Sequence, residues 1–157
     1  MTSHQNERAW PYDLPIWRRS HRATAPGGET VAEVDPANEV SMGNPTCGTL
    51  RLSTGLELAR CSPSFLWSDD SRYLAVPRFF DRLLLFRMQR LVIIDVIERR
   101  AFASRAAAFY FQTESFADGL LVATKEPFRK ASQLSWQLPR DLSSFRPVEL
   151  PWTTPRS

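Results

Sequence analysis

The segment from Cys61 to Val76 constrains the fold of this chain more than any other stretch. Phe65 and Trp67 alternate with polar neighbours, as in a half-buried strand, and Asp69-Asp70-Ser71 is typical of a tight turn. Tyr73 to Val76 then resumes an apolar segment. The pattern predicts a β-hairpin with one face towards a core, and it requires no catalytic group.

Further runs of apolar and β-branched residues predict strands on both sides of this hairpin. Arg90 to Ile97 is the strongest, because Leu91-Val92-Ile93-Ile94 is apolar on both faces and should lie centrally in a sheet. Thr49 to Leu52 and Leu56 to Ala59 flank Ser53-Thr54-Gly55, which is a turn signal. The remaining predicted strands are Thr30 to Val34, Phe109 to Phe111 and Leu120 to Ala123.

Two segments are compatible with a helix as well as with a strand. Arg78 to Gln89 has apolar residues at roughly helical spacing, although Leu83 to Met88 reads nearly as well as a strand. We expect a long exposed loop with a short helical turn there. Arg99 to Ala108 tolerates a helix, while Ala101-Phe102-Ala103 is compatible with continuation of the sheet.

Proline divides the chain into a core and two arms. A chain of 157 residues fits one domain. Both ends are broken by prolines, yet they contain bulky aromatic residues of the kind that pack onto the body of a domain. We therefore predict a single domain over 1–157, with an irregular N-terminal arm at 1–30, a β-rich core at 31–138 and a Pro-rich C-terminal arm at 139–157.

Charge and hydropathy argue against two classes of partner. The net charge is only +3, and 17 acidic residues are interleaved with 20 basic ones, so no one-sided basic field predicts nucleic-acid binding. No apolar run approaches the roughly 20 residues that a membrane-spanning helix needs. The first residues contain no apolar segment of the signal-peptide type. We expect no nucleic-acid partner, no membrane association and a cytoplasmic location.

The cysteines and histidines predict no metal site and no cofactor. Reduced thiols are expected at Cys47 and Cys61, because a small secreted domain usually contains more cysteines. A bridge between them stays open if the intervening segment is a hairpin. Neither has a Cys or His at metal-ligand spacing, and His4 and His21 both lie in the N-terminal arm.

Carboxylates in the core region predict structural pairing instead of catalysis. Asp69 and Asp70 are adjacent in a turn, where such residues usually cap backbone amides. Asp95 lies in an apolar strand and needs a partner, because an unpaired buried charge is costly. Its candidate partners are Arg72, Arg90 and Arg99. The sequence contains no nucleophile motif and no Gly-rich phosphate loop, so we expect no enzyme.

The order of strand, strand, acidic turn and strand occurs twice, at a period of about 40–45 residues, which is typical of β-propeller blades. Ser62 to Val76 with Arg90 to Arg100 resembles a blade of the WD-repeat or TolB-like propellers. In those families a strand ends in a D-G-type turn, a strand of the type R-Y-L-A-V follows, and a later strand reads L-x-x-x-D. Asp69-Asp70-Ser71, Arg72 to Val76 and Leu91 to Asp95 occupy those places.

The resemblance implies a fold unit and no chemistry. A closed propeller has about four blades or more, and this chain has room for about two. We therefore expect a mainly β fold: a small twisted antiparallel sheet or sandwich of blade-like β-meanders between the irregular arms.

These features predict a non-enzymatic protein-binding domain. In size and style the chain is similar to bacterial immunity proteins, which bind a cognate toxin or effector domain and occlude its active site. Tyr, Trp and Arg dominate protein–protein hot spots, and two segments are rich in aromatic residues and arginine. The expected contact residues are Trp10, Tyr12, Trp17, Arg18 and Arg19 in the N-terminal arm, and Arg78, Phe79, Phe80, Asp81, Arg82 and Arg87 in the predicted loop.

Two alternatives remain open at this point. One is a small enzyme or ligand-binding protein with a pocket near Asp95 and Arg72. The other is a subunit that completes a larger propeller by homo-oligomerisation.

Overall fold

The computed structural model describes residues 21–34, 38–39, 46–82, 86–125 and 130–153. Over these residues the chain is mainly β, with antiparallel sheets and one short 3-10 helix, which confirms the predicted fold class. The strands are β1 (His21–Thr24), β2 (Val31–Val34), β3 (Asn38–Glu39), β4 (Thr46–Leu52), β5 (Leu56–Cys61), β6 (Leu66–Trp67), β7 (Tyr73–Arg82), β8 (Phe86–Asp95), β9 (Arg100–Ala108), β10 (Phe111–Ala117), β11 (Leu120–Lys125), β12 (Ser132–Gln137) and β13 (Arg146–Val148), and the 3-10 helix spans Arg140–Ser144.

The strands form two antiparallel sheets. The larger sheet has the order β1-β2-β4-β5-β7-β8-β9-β13, with β3 paired to β4 and β6 paired to β7. The smaller sheet has the order β10-β11-β12. Most neighbours in space are also neighbours in sequence, so short hairpin connections build most of the fold.

The β7–β8 hairpin lies at the centre of the molecule, with a core on each of its faces. Successive side chains of a strand point to opposite faces. In β7, Leu74 and Val76 belong to one core, whereas Tyr73 and Ala75 belong to the other. β8 divides in the same way, and Leu91–Ile94 is buried throughout, as its apolar run predicted.

The first core lies inside the larger sheet, which folds back on itself. The indole Nε1 of Trp67 in β6 donates a hydrogen bond to the carbonyl of Ala23 in β1, at 3.0 Å. β1 is at one edge of the sheet and is separated from β7 by three strands, so this contact requires strong curvature. Leu150 and Trp152, from the C-terminal segment, pack against the same core.

The second core lies between the β7–β8 hairpin and the smaller sheet. Phe111 and Phe116 of β10 and Leu121 of β11 are fully buried there. Tyr73 stacks on Phe116 with ring centroids 6.4 Å apart. The smaller sheet therefore covers the face of β7 and β8 that the curved sheet leaves open.

The prediction of a loop with a helical turn at Arg78 to Gln89 is wrong. β7 and β8 run through this segment and pair continuously from Tyr73 with Asp95 to Arg82 with Phe86. Helix propensity is a weak preference that tertiary pairing overrides. Both strands are anchored in two cores, and this burial extends the pairing into the ambiguous segment.

Other boundaries also differ from expectation. Arg99 to Ala108 is not helical, because β9 spans 100–108 of it. Phe109 and Tyr110 lie between strands, and β10 begins only at Phe111. The arms are not irregular throughout, since β1 lies in the N-terminal arm and the 3-10 helix and β13 lie in the C-terminal arm. β13 accommodates Pro147 because it is an edge strand, where a missing amide donor is tolerated.

Candidate functional site

The β7–β8 hairpin extends beyond its neighbours in the larger sheet. The last pair that β7 makes with β5 is Arg78 with Cys61, and the last that β8 makes with β9 is Gln89 with Ala108. Beyond them lie the pairs Phe80–Met88, Asp81–Arg87 and Arg82–Phe86. Among the described residues no other strand pairs with this part of the hairpin. Residues 80–82 and 86–88 are termed the projecting end.

Two arginines brace the base of the projecting end. The Arg90 guanidinium lies 4.6 Å from the centroid of the Phe80 ring, a cation–π contact. Arg90 Nη1 also donates to the carbonyls of Ser104 and Arg105, at 2.7 and 2.9 Å. On the other strand, Arg78 Nε donates to the carbonyl of Ala59, 3.0 Å away. The hairpin is therefore fixed to β9 on one side and to β5 on the other.

The predicted contact residues fall into four groups. Phe80 and Arg78 are half-buried at the base of the projecting end. Phe79 is only 7% exposed, so its expected role in partner contact is wrong. As a strand residue it faces inward, directly opposite the buried Gln89.

Asp81, Arg82 and Arg87 lie on the strands of the projecting end, and only their backbone placement is described. Trp10, Tyr12, Trp17, Arg18 and Arg19 lie outside the described residues.

Residues 78–90, which are the projecting end together with its base, are more basic than the surface formed by β1, β2, β4 and β5. Residues 78–90 include the arginines Arg78, Arg82, Arg87 and Arg90, against one aspartate. On the curved part of the larger sheet, charges alternate across four strands instead. The ladder runs through the pairs Arg22–Glu33, Glu33–Arg51 and Arg51–Glu57, and the last of these has an N–O distance of 3.8 Å. Opposite charges directly across a sheet offset each other.

Asp95 forms an ion pair with Arg72, which is one of the three partners predicted for it from the sequence. Arg72 donates Nε and Nη2 to Asp95 Oδ2, at 3.2 and 3.0 Å. Asp95 Oδ1 accepts the backbone amides of Ile97 and Glu98, at 3.1 and 3.0 Å. The hydrogen bond to Asp95 raises the pKa of the Arg72 guanidinium above its ordinary value. Both oxygens of this carboxylate, which is 1% exposed, are thus used to shape the turn between β8 and β9.

Tyr73, beside this pair, carries an isolated polar atom. Its side chain is 3% exposed, and its hydroxyl has no hydrogen-bond partner within the described part of the chain. The Arg72 guanidinium lies 5.1 Å from the ring centroid of Tyr73, not at the hydroxyl. Burial raises the pKa of Tyr73 above 10.0. The residue is therefore a neutral phenol held among apolar neighbours.

In the turn Asp69-Asp70-Ser71 both aspartates accept hydrogen bonds from backbone amides, which confirms the predicted capping role. Asp70 Oδ1 accepts the Arg72 amide at 3.1 Å, and Asp69 Oδ2 accepts the Asp118 amide at 2.9 Å. Ser71 Oγ accepts the Gly27 amide at 2.6 Å. This one turn thereby joins the hairpins β1–β2 and β10–β11.

No known family or homologue identifies the site. Comparisons of the chain with protein-family models, with curated proteins and with solved structures find no match. Across residues that the structure describes, no group of three or more His, Cys, Asp or Glu could hold a metal ion. The side chain of Cys61 is fully buried. In the same residues, no helix has the length and apolar character needed to cross a bilayer.

The arginine and aromatic content of residues 78–87 predicts a contact surface there, but the exposed loop predicted for this segment is wrong. The sequence predicts Arg82 and Arg87 in an exposed loop, whereas they lie on two paired strands, Arg82 opposite Phe86 and Arg87 opposite Asp81. Met88 and Arg90 are not among the contact residues predicted from the sequence, although they lie on β8 in the same part of the hairpin. The strand-like reading of Leu83 to Met88 was the signal that could have indicated this ribbon.

Proposed function

We propose that this chain is a non-enzymatic protein-binding domain whose main contact element is the projecting end of the β7–β8 hairpin. The observation that supports this most is the free length of paired strand beyond β5 and β9. A strand edge offers backbone donors and acceptors to another chain, and added strands are a common mode of peptide recognition. A ribbon braced at its base needs little further ordering on binding, which favours affinity.

The partner that fits this element best is a protein with an acidic surface. Arginine, Phe and Met are enriched at protein interfaces, and all three occur on the projecting end or at its base. The excess of arginine favours encounter with negative charge, because complementary fields speed association. The charge ladder on the curved part of the sheet is balanced and does not compete for such a partner.

The narrower form of the proposal is that the partner is a toxin whose active site the hairpin occludes, as in bacterial immunity proteins. A two-stranded ribbon is thin enough to enter a cleft and long enough to fill one. Such a role would place the chain in the cytoplasm beside its cognate toxin. The blade-like resemblance stays a prediction about the fold unit and adds nothing to this role.

A ligand pocket at Asp95 and Arg72 has less support. Arg72 and two backbone amides already occupy both oxygens of the carboxylate. A substrate would have to displace these bonds, and breaking a buried ion pair is strongly destabilising.

The proposal is tested by co-expression with the product of the adjacent gene in a bacterial host. We expect the neighbour alone to inhibit growth and this chain to relieve the inhibition. A neighbour that is harmless alone contradicts the immunity role. Binding of the two purified proteins, measured by calorimetry, tests the broader claim of protein recognition.

Charge reversal locates the contact surface. Arg87→Glu on the projecting end is expected to weaken binding about tenfold or more, because it places like charge against an acidic partner. Arg146→Glu, on the exposed edge strand β13, makes the same change of charge elsewhere and is expected to leave affinity unchanged. Equal effects of the two variants would show that the hairpin is not the contact element.

A further inference from the structure

The smaller sheet ends in the edge strand β12, and no described residue pairs with the outer side of this strand. β12 spans Ser132–Gln137 and pairs with β11 over its whole length without a register shift. An unpaired edge offers backbone donors and acceptors to another strand, and proteins usually blunt such edges with charge, proline or a short strand. β12 contains neither a charged residue nor a proline. Its outer side is therefore open to pairing.

The other strands that end the two sheets are protected. β1 and β13, at the ends of the larger sheet, have only four and three residues. β1 contains Arg22, and β13 contains Arg146 and Pro147. β10, at the other edge of the smaller sheet, donates its Phe111 amide to Gln89 of the larger sheet. Within the described part of the chain, β12 alone combines full strand length with an uncharged edge that no other strand approaches.

A hydrogen bond at the end of β12 shows which backbone groups face outward. The Gln137 amide donates to the carboxylate of Asp141 at 2.7 Å, so it points away from β11. In an antiparallel ladder, successive residues direct their amide and carbonyl groups to opposite sides of the strand. Gln133 and Ser135 therefore face outward as Gln137 does. Asp141 occupies the Gln137 amide, which leaves the backbone groups of Gln133 and Ser135 open.

A second copy of β12 matches these open groups. In an antiparallel pair with a two-fold axis at Leu134, Gln133 of each copy lies opposite Ser135 of the other. Outward-facing residues that lie opposite each other exchange both of their backbone hydrogen bonds. This register uses every open group of the two residues and leaves the bond from Gln137 to Asp141 in place. An axis at Ser135 would instead require the Gln137 amide, which is already occupied.

The side chains favour the same register. Residues directly opposite each other in a sheet place their side chains on the same face. Leu134 and Trp136 are half-buried against the second core, whereas Gln133 and Ser135 are exposed on the outer face. The axis at Leu134 sets the two Leu134 side chains beside each other and Ser132 beside Trp136. The apolar layer then continues from one copy to the next, and no charges oppose each other in the pair.

We propose that β12 is the surface through which two copies of this chain pair, so that their smaller sheets join into one antiparallel sheet about a two-fold axis at Leu134. A two-fold contact is closed, so the assembly ends at a dimer. Pairing of single edge strands gives a small interface, and the dimer is therefore reversible and dependent on concentration. The contact uses no residue of the projecting end and does not rest on the proposed function.

Charge exchange at the two exposed positions tests the proposal. Gln133→Lys with Ser135→Lys places lysines opposite each other in both pairs, and Gln133→Glu with Ser135→Glu does the same with carboxylates. We expect sedimentation velocity to show a concentration-dependent dimer for the wild type and a dissociation constant at least about tenfold higher for each double variant. An equimolar mixture of the two variants should dimerise again. A wild type that stays monomeric at every soluble concentration, or a mixture no more associated than its components, overturns the proposal.

A disulfide tests the register. Opposite residues of a pair without hydrogen bonds have Cα atoms about 4.5 Å apart, which is within disulfide range, so Leu134→Cys should cross-link the dimer under mild oxidation. Gln133→Cys is the matched control, because Gln133 of one copy lies two residues along the strand from Gln133 of the other, beyond that range. The native cysteines are present in both variants and do not affect the comparison. Equal cross-linking of the two variants, or none in either, contradicts the register.

Discussion

The carboxylate of Asp69 accepts a hydrogen bond from the backbone amide of Asp118, at 2.9 Å, so the turn before β7 meets the turn between β10 and β11. One turn precedes β7 of the larger sheet, and the other connects β10 to β11 in the smaller sheet. The contact therefore ties the two sheets together at the end of the molecule opposite the projecting hairpin. It adds a polar attachment at the rim of the second core.

Removal of this attachment should loosen the smaller sheet. Asp69→Ala loses the acceptor and is expected to lower the free energy of unfolding by about 0.5–1.5 kcal/mol. Asp69→Asn keeps an acceptor oxygen and should lose less. Urea denaturation measures both variants, and an equal loss in the two would contradict a specific role for this hydrogen bond.

Gly55 is required where the C-terminal segment crosses the β4–β5 turn. It has a φ of 103°, and a Cβ added to it would lie 2.7 Å from the Thr153 carbonyl oxygen. The Thr153 amide also donates to the Gly55 carbonyl at 2.7 Å, so neither of these two backbone segments has room to move. We expect Gly55→Ala to destabilise the protein by about 2–5 kcal/mol, from the positive φ together with the overlap.

Gly28 provides a matched control for this substitution. It has a φ of 78°, but nothing lies within 4 Å of an added Cβ. Gly28→Ala should therefore carry only the conformational cost, about 1–2 kcal/mol. Thermal or chemical denaturation distinguishes the two variants, and similar losses would argue against close contact between Gly55 and Thr153.

Tyr73 should make the protein sensitive to alkaline pH. Burial raises its pKa above 10.0, so the folded state holds the phenol proton more tightly than the unfolded state does. This contribution to stability is fully present below the unfolded pKa and is lost as pH rises through the folded pKa. Stability should therefore fall from about pH 10 upward.

Tyr73→Phe separates the hydroxyl from the ring. Because the hydroxyl has no partner among the described residues, its removal should raise stability by about 1 kcal/mol at neutral pH. The variant should also lose less stability than the wild type at alkaline pH. Burial raises the pKa of Tyr110 as well, but this residue is present in both proteins, so their difference isolates Tyr73. A destabilised Tyr73→Phe would show that the hydroxyl has a partner after all.

Glu33 lies between two arginines in the charge ladder. Its cross-strand neighbours are Arg22 on β1 and Arg51 on β4. Glu33→Lys would place like charges side by side, and we expect a loss of about 0.2–1 kcal/mol per pair at low ionic strength. The loss should shrink as salt is added, because these side chains are accessible to solvent.

Glu29→Lys changes the net charge by the same amount in an exposed turn outside the ladder. It should have little effect at any salt concentration. Denaturation of both variants at low and high salt checks this prediction. A salt-independent loss in Glu33→Lys would point to packing, not charge, as its cause.

Much of the centre of the fold could be predicted because its signals are local. The alternation around Phe65 and Trp67, the turn at Asp69 to Ser71 and the β-branched run Leu91–Ile94 each indicate a strand or turn without reference to distant residues. The position of Asp95 at the end of an apolar strand likewise predicts, from local sequence alone, that this carboxylate needs a cationic partner. The choice of Arg72 depends on register, because the pairing of Tyr73 with Asp95 places the preceding residue beside the carboxylate.

The rest depends on distant partners. β12 consists largely of Ser and Gln, which indicate no strand, and it forms because it pairs with β11 and places Trp136 over the second core. The projecting end could not be predicted, since it is defined by where β5 and β9 stop pairing with the central hairpin. The hydrogen bonds of β10 to Ser64 and Gln89 are likewise set by the approach of a distant strand, which local sequence does not determine.

The burial of both faces of the central hairpin limits how this chain can diversify over generations. A strand with one wet face accepts polar replacements at every second position, but Tyr73 to Val76 and Leu91 to Ile94 offer no such position. Substitutions that preserve the fold are therefore expected on the outer strands and at the far end of the ribbon. A molecule built in this way can accept new side chains at its surface while its central scaffold stays constant.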